Sequence, residues 1–300
     1  MSIIGHSHTI SDLKRLAENG DLSHGYIFYG PAMVGKCLVA KSFANYLERG
    51  DFSVSAQGGS PSSVAEPLRR TGASGGKGGG ILQDSVLIEA DEKGTLGIDK
   101  IRQLKNFLWH KPVLSLYRTA IVDDAELMTQ EAQNAFLKIA EEPPQSTFLI
   151  LVTSDIEALT PTLRSRLASI YFSVLPKGLV SGWLVEKFGI SKKAAQDLAL
   201  QSLGKLGLAS RLVNDKELQD YLKSAETLLK SSFEKRRDVI KKILENDDLD
   251  FNKFLDAMIL RVAPDASKGD YKFWHKLVEL RGEAAYFNLN PRLQLENLLH

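Results

Sequence analysis

"YGPAMVGKC", residues 29–37, decides the fold. Gly30, Gly35 and Lys36 stand at the spacing of G-x-x-x-x-G-K-[ST], the loop that cradles phosphate groups between a strand and a helix. The apolar run "GYIFY" (25–29) supplies the strand before it, and Val39, Ala40, Phe43, Ala44 and Leu47 stripe one face of a helix after it. Glycines free the backbone N–H groups to point at phosphate oxygens, and the helix N-terminus adds a favourable dipole. Lys36 is placed to reach the outer phosphates. The final position departs from the pattern: Cys37 stands where a hydroxyl would hold Mg²⁺. Mg²⁺ wants oxygen ligands, and a neutral thiol is a poor substitute.

Outward from this loop the first part of the chain alternates strands and helices. Ile10, Leu13, Leu16 and Ala17 are spaced for a helix capped by Thr9 or Ser11. "SVLIEA" (85–90) reads as a strand, and Ile98, Ile101, Leu104 and Leu108 stripe the next helix. "RTAIVDD" (118–124) and "STFLILVTS" (146–154) lack polar alternation, as strands covered on both faces do. "MTQEAQNAFLKIAEE" (128–142) is helical and stops before Pro143-Pro144, and "SIYFSV" (169–174) is a last short strand. The predicted class is an α/β P-loop domain over 1–175, a parallel sheet with helices on both faces. Residues 51–83 interrupt it with a Gly/Ser-rich stretch, predicted to be a flexible insertion. Its "GGKGGG" lacks both the preceding strand and the following Ser or Thr of a phosphate loop. Beyond Pro176 the apolar spacing is helical to residue 300, predicting a small all-α domain at 176–214 and a larger one at 215–300.

Bulk properties narrow the classes further. A chain of 300 residues suits two or three domains, and a net charge of +1 gives no global field toward nucleic acid or membrane. One cysteine excludes an internal disulfide and a cysteine-clustered zinc site. A cytoplasmic location is expected, with no signal peptide and no membrane span. His6 and His8, at i and i+2 without further ligands, are read as incidental, so no metal site is expected.

Two further segments carry chemistry. In "AIVDDAE" (120–126) an apolar strand ends in Asp123 and Asp124, where a P-loop protein holds its metal and the carboxylate that polarises the attacking water. Asp124 is one methylene shorter than Glu, and a misplacement of about an ångström can cost on the order of a hundredfold in rate. In "LVTSDIEALTPTLRSRL" (151–167), Thr153 and Ser154 fall at the C-terminal end of a buried strand, where open α/β sheets bind ligands. Arg164 and Arg166 follow in a short helix–turn segment. Each is either a surface residue or one that reaches a phosphate across a subunit boundary, and spacing alone favours neither.

"GYIFYGPAMVGK", "LGIDKIRQL", "NAFLKIAEEPP" (134–144) and "LRSR" (163–166), in this order, resemble the AAA+ clamp-loader family, and within it the delta prime branch of bacterial DNA polymerase III. The resemblance covers about residues 1–175, and the later helices fit the family's lid and collar domains by order and length. It implies a multi-subunit loader that opens a sliding clamp and places it on primed DNA, with ATP and Mg²⁺ at sites between subunits. The implied partners are motor ATPase and delta-type subunits, the clamp, and primed DNA through the complex, with no membrane. Arg166 would then act in trans on a neighbour's ATP, in a Ser-Arg-Cys motif that here reads Ser165, Arg166, Leu167. Cys37, Asp124 and Gly204, the last at the position of a lid arginine, all imply a catalytically silent subunit that requires no cofactor of its own. Residual nucleotide binding at Gly30, Gly35, Lys36, Cys37, Thr153 and Ser154 stays open. The chain would be part of a nucleotidyltransferase complex, the DNA-directed DNA polymerase III holoenzyme, without independent ATPase activity. A motor-type ATPase and a plain scaffold are the alternatives.

Overall fold

The apolar runs of the first part assemble into a five-stranded sheet in which every adjacent pair of strands is parallel. The structure is a computed structural model and describes residues 3–52, 82–91, 93–245, 249–263, 271–287 and 289–299. The Gly/Ser-rich insertion, from 53 to 81, lies outside the described residues. The chain divides into two compact units, Met1–Val174 and Leu175–His300.

In the first unit the elements follow in the order α1 (Ser7–Asn19), β1 (Gly25–Tyr29), α2 (Lys36–Arg49), β2 (Ser85–Ile88), α3 (Ile98–Leu108), β3 (Arg118–Val122), α4 (Gln130–Glu141), β4 (Thr147–Thr153), α5 (Pro161–Arg164) and β5 (Ala168–Tyr171). The strands lie side by side as β2-β3-β4-β1-β5. Every residue of β4 is buried. Phe148, Ile150 and Val152 pack with Val39 and Phe43 of α2, while Leu149 and Leu151 pack with Ile101, Leu104 and Phe136 of α3 and α4. The unbroken apolar run thus serves two cores, one on each face of the sheet. Full burial of each such side chain is worth about 1.5–3 kcal/mol.

Several boundaries differ from the sequence reading. The first helix begins at Ser7, so Thr9 and Ser11 lie inside it and neither caps it. His6 fixes its start instead: its backbone is left-handed at φ 55°, its ring nitrogen donates to the Val34 carbonyl at 3.1 Å, and its ring meets Phe172 edge-on. The strand read over 118–124 ends at Val122, because Asp124 turns the chain with φ 47° into a 3-10 turn at Ala125–Leu127. The last strand ends at Tyr171, and the Phe172 side chain is fully buried.

The second unit is helical throughout its described residues. α6 (Lys177–Phe188), α7 (Lys192–Gln201) and α8 (Leu206–Asn214) enclose a small apolar cluster around Val180, Leu184, Ala195 and Ala209. α9 (Lys216–Lys230), α10 (Phe233–Leu244), α11 (Phe251–Val262), α12 (Tyr271–Tyr286) and α13 (Pro291–Leu298) enclose a larger one around Leu228, Ile240, Phe254, Met258, Leu277 and Leu295. The helical spacing that continues across 191–213 breaks where Leu203 (φ 52°) and Gly204 (φ 77°) both turn left-handed, and the Gly204 carbonyl accepts the Leu175 N–H. Among the described residues no helix is long and apolar enough to cross a membrane.

Candidate functional site

The loop 30–35 joins β1 to α2 at the C-terminal edge of the sheet. Gly30 is required there twice over. Its φ is +136°, and a Cβ on it would stand 2.2 Å from the Phe172 carbonyl oxygen. Gly35 (φ +107°) faces open space, so only its backbone conformation demands glycine. Lys36 is 6% exposed and its Nζ donates to the carbonyls of Gly30 and Pro31, each at 2.8 Å. The ammonium is folded back onto its own loop. Burial lowers its pKa, while the carboxylates of Glu126, Asp123 and Asp124 work against that shift.

β3 and its turn bring the acidic residues to the same edge. Burial pushes the Cys37 thiol far up from the ordinary range, and the charge of the Asp123 carboxylate adds to the shift while Lys41 opposes it. Cys37 is therefore a neutral thiol. The Asp124 carboxyl is raised by burial and by the charges of Asp123 and Glu126.

Glu126 is a member of this group that the sequence reading did not single out. Its Oε1 accepts hydrogen bonds from the Ser154 N–H, at 3.1 Å, and from the Ser154 hydroxyl. Burial alone would raise its carboxyl, but the Ser154 hydroxyl, with backbone and Thr153 contacts, holds it below the ordinary range. The signal available was its place two residues after Asp124, which a single 3-10 turn converts into a shared site.

Thr153 pairs with Tyr29 in the sheet, so the ends of β4 and β1 lie side by side. The Thr153 hydroxyl is spent in its own turn, donating to the Asp155 carbonyl at 2.8 Å and accepting the Asp155 N–H at 3.1 Å. The structure thus gathers Gly30, Lys36, Cys37, Asp123, Asp124, Glu126, Thr153 and Ser154 at one edge of the sheet. Arg164 and Arg166 are engaged elsewhere. Arg164 Nη1 meets Glu157 at 2.5 Å. The Arg166 side chain is 54% exposed, and its Nη2 lies 3.2 Å from Glu141 at the end of α4. Leu167 fills a core position against Gly25, where an added Cβ would lie 2.6 Å from the leucine. Gly204 belongs to the second unit.

These residues do not fit a Mg²⁺–nucleotide complex as they stand. The position that should offer a hard oxygen holds a neutral thiol, and the P-loop lysine is tied to the carbonyls of its own loop.

A parallel sheet with a glycine loop between β1 and a helix, and acidic residues at the end of β3, is a P-loop domain. Residues 5–176 match the family model described as DNA polymerase III, delta subunit. The chain belongs to that family, a clamp-loader AAA+ family. It is 34% identical over 176 residues to DNA polymerase III subunit gamma/tau of Mycobacterium tuberculosis, a match covering 58% of this chain and 28% of that one. It is 37% identical over 125 residues to DNA polymerase III subunit delta' of Escherichia coli, covering 41% of this chain and 37% of that one. The matched stretches thus span well under half the length of these relatives. A gamma subunit-related protein of Thermotoga maritima shares the fold, with a TM-score of 0.58 and 22% identity over 97% of both chains.

Proposed function

We propose that the chain is a delta prime-like subunit of the DNA polymerase III clamp loader, which helps to load a sliding clamp onto primed DNA without hydrolysing ATP itself. Arg166 would complete the ATP site of a neighbouring motor subunit. The observation that carries this reading is a contrast between two sites on the chain. Its own P-loop lysine is consumed by the loop carbonyls and burial keeps its thiol neutral, while Arg166 stands more than half exposed. Among the described residues the guanidinium is held only by an exposed ion pair, worth about 0–1 kcal/mol, so a competing phosphate can take it. A guanidinium is always charged and can offer two parallel hydrogen bonds to a phosphate. Residues 176–214 would form the lid and 215–300 the collar that joins subunits. The site is proposed to require no cofactor, with ATP and Mg²⁺ held by the neighbours.

A motor-type ATPase is the second reading. It is favoured by the match to the gamma/tau subunit and by the intact glycine and lysine positions of the loop. Steady-state ATPase assays on the purified chain and on its Lys36→Ala variant separate the two. The delta prime-like reading expects no turnover from either. Turnover abolished by Lys36→Ala would favour the motor.

A further inference from the structure

We propose that Glu126 occupies, from within the chain, the place at the P-loop that a nucleotide phosphate would take, and so holds the site closed to nucleoside triphosphates. The inference rests on the reading of the loop as catalytically silent, and it names the residue responsible.

The placement follows from the sheet. β1 and β4 are neighbours with Tyr29 paired to Thr153, so Gly30 and Ser154 leave the sheet side by side at its carboxyl edge. That edge is where ligands of open α/β sheets are bound. The donors available there are the Ser154 N–H and hydroxyl, of the kind a phosphate oxygen would use. Both are already donated to Glu126 Oε1. The 3-10 turn at Ala125–Leu127 delivers that carboxylate across from β3. Its second oxygen, Oε2, is buried and makes no hydrogen bond within the described residues. The carboxylate lies in the same electrostatic field as Lys36. Of the three carboxylates that act on Lys36, Glu126 acts most strongly. The ammonium therefore already has an anion to answer, and its hydrogen bonds are spent on the Gly30 and Pro31 carbonyls. An arriving polyphosphate would have to displace the Glu126 carboxylate from Ser154 and meet its charge together with those of Asp123 and Asp124. Like charges brought close together repel.

The test is a titration of the full-length protein with MgATP, followed by calorimetry or by a fluorescent ATP analogue. Wild type is compared with Glu126→Gln, Glu126→Ala and the double variant Lys36→Ala/Glu126→Gln. Glu126→Gln keeps the shape of the side chain and removes its charge. It should tighten binding by about tenfold or more, the effect of deleting one like charge beside the phosphates. Glu126→Ala should show the same gain, so the result does not depend on one variant folding well. The added Lys36→Ala should erase the gain, which ties it to the P-loop. If neither single variant binds more tightly than wild type, Glu126 is not the obstruction, and the silent-subunit reading survives without it. Steady MgATP turnover by wild type would separately overturn the silent-subunit reading.

Discussion

Cys37 lies in the electrostatic field of Asp123, and these are the two residues at which a working P-loop site would share a Mg²⁺ ion. Burial and the aspartate charge both oppose ionisation of the thiol. Only a thiolate reacts readily with alkylating agents. Native protein at pH 8 should therefore react with iodoacetamide far more slowly than urea-unfolded protein. Asp123→Asn removes one cause of the raised pKa and should speed the native reaction several-fold. Equal native rates for wild type and Asp123→Asn would show that the pair is not coupled.

The loop glycines should differ in cost. Gly30→Ala adds a Cβ 2.2 Å from the Phe172 carbonyl at a φ of +136° and should destabilise the fold by about 2–4 kcal/mol. Gly35→Ala meets nothing within 4 Å and carries only the conformational strain, about 1–2 kcal/mol. Chemical denaturation of both variants measures the order, and a Gly35 variant that proved the weaker would reverse it.

Asp84 gives a pH dependence. Its side chain is fully buried and accepts from the N–H groups of Val113, Leu114 and Ser115, with Arg118 3.7 Å away. Burial alone would raise its carboxyl, but the N–H groups of Leu114, Val113 and Ser115, then Arg118, hold it below the ordinary range. A depressed folded pKa contributes stability that is fully present above the unfolded value and is lost as pH falls through the folded one. The contribution should therefore be complete above about pH 5 and fade below about pH 4. Asp84→Asn removes the buried charge that the three N–H groups and Arg118 face, should cost on the order of 1–3 kcal/mol at pH 7, and should flatten the acid limb of a stability–pH profile. An unchanged acid limb would contradict this.

The first unit has its own two-faced core and should fold alone. A 1–174 fragment is expected to melt cooperatively by circular dichroism and to fail to co-purify with partner subunits, because the proposed collar is missing. Co-purification at full stoichiometry would refute the collar assignment.

The sheet was legible because strands buried on both faces leave unbroken apolar runs, as "STFLILVTS" does around β4, and because the glycine pair and Lys36 are placed by local backbone needs. What was hidden depends on side-chain direction. Nothing in the spacing says that Lys36 turns back to its own loop carbonyls, or that the Thr153 hydroxyl is consumed by Asp155. Glu126 was hidden because a 3-10 turn, with Asp124 left-handed before it, carries the residue back to the sheet edge, and "AIVDDAE" signals no such turn. The helix start at His6 was missed for a related reason: tertiary contacts with Val34 and Phe172, not a local hydroxyl, set it.

The central claim is that Arg166 acts on a neighbour. Supplied in trans, an arginine can raise phosphoryl transfer by roughly a thousandfold or more at one site. A loader with several ATP sites would lose less of its total rate, since only the adjoining site is affected. The most direct measurement is the clamp- and DNA-stimulated ATPase and clamp-loading rate of a reconstituted complex carrying Arg166→Ala, with Arg166→Lys and Arg164→Ala beside it. The account predicts normal assembly, a marked fall in both rates for Arg166→Ala, poor rescue by lysine, and a smaller effect at Arg164, whose side chain is paired with Glu157. Unchanged loading by the Arg166→Ala complex would contradict it and leave the chain a scaffold.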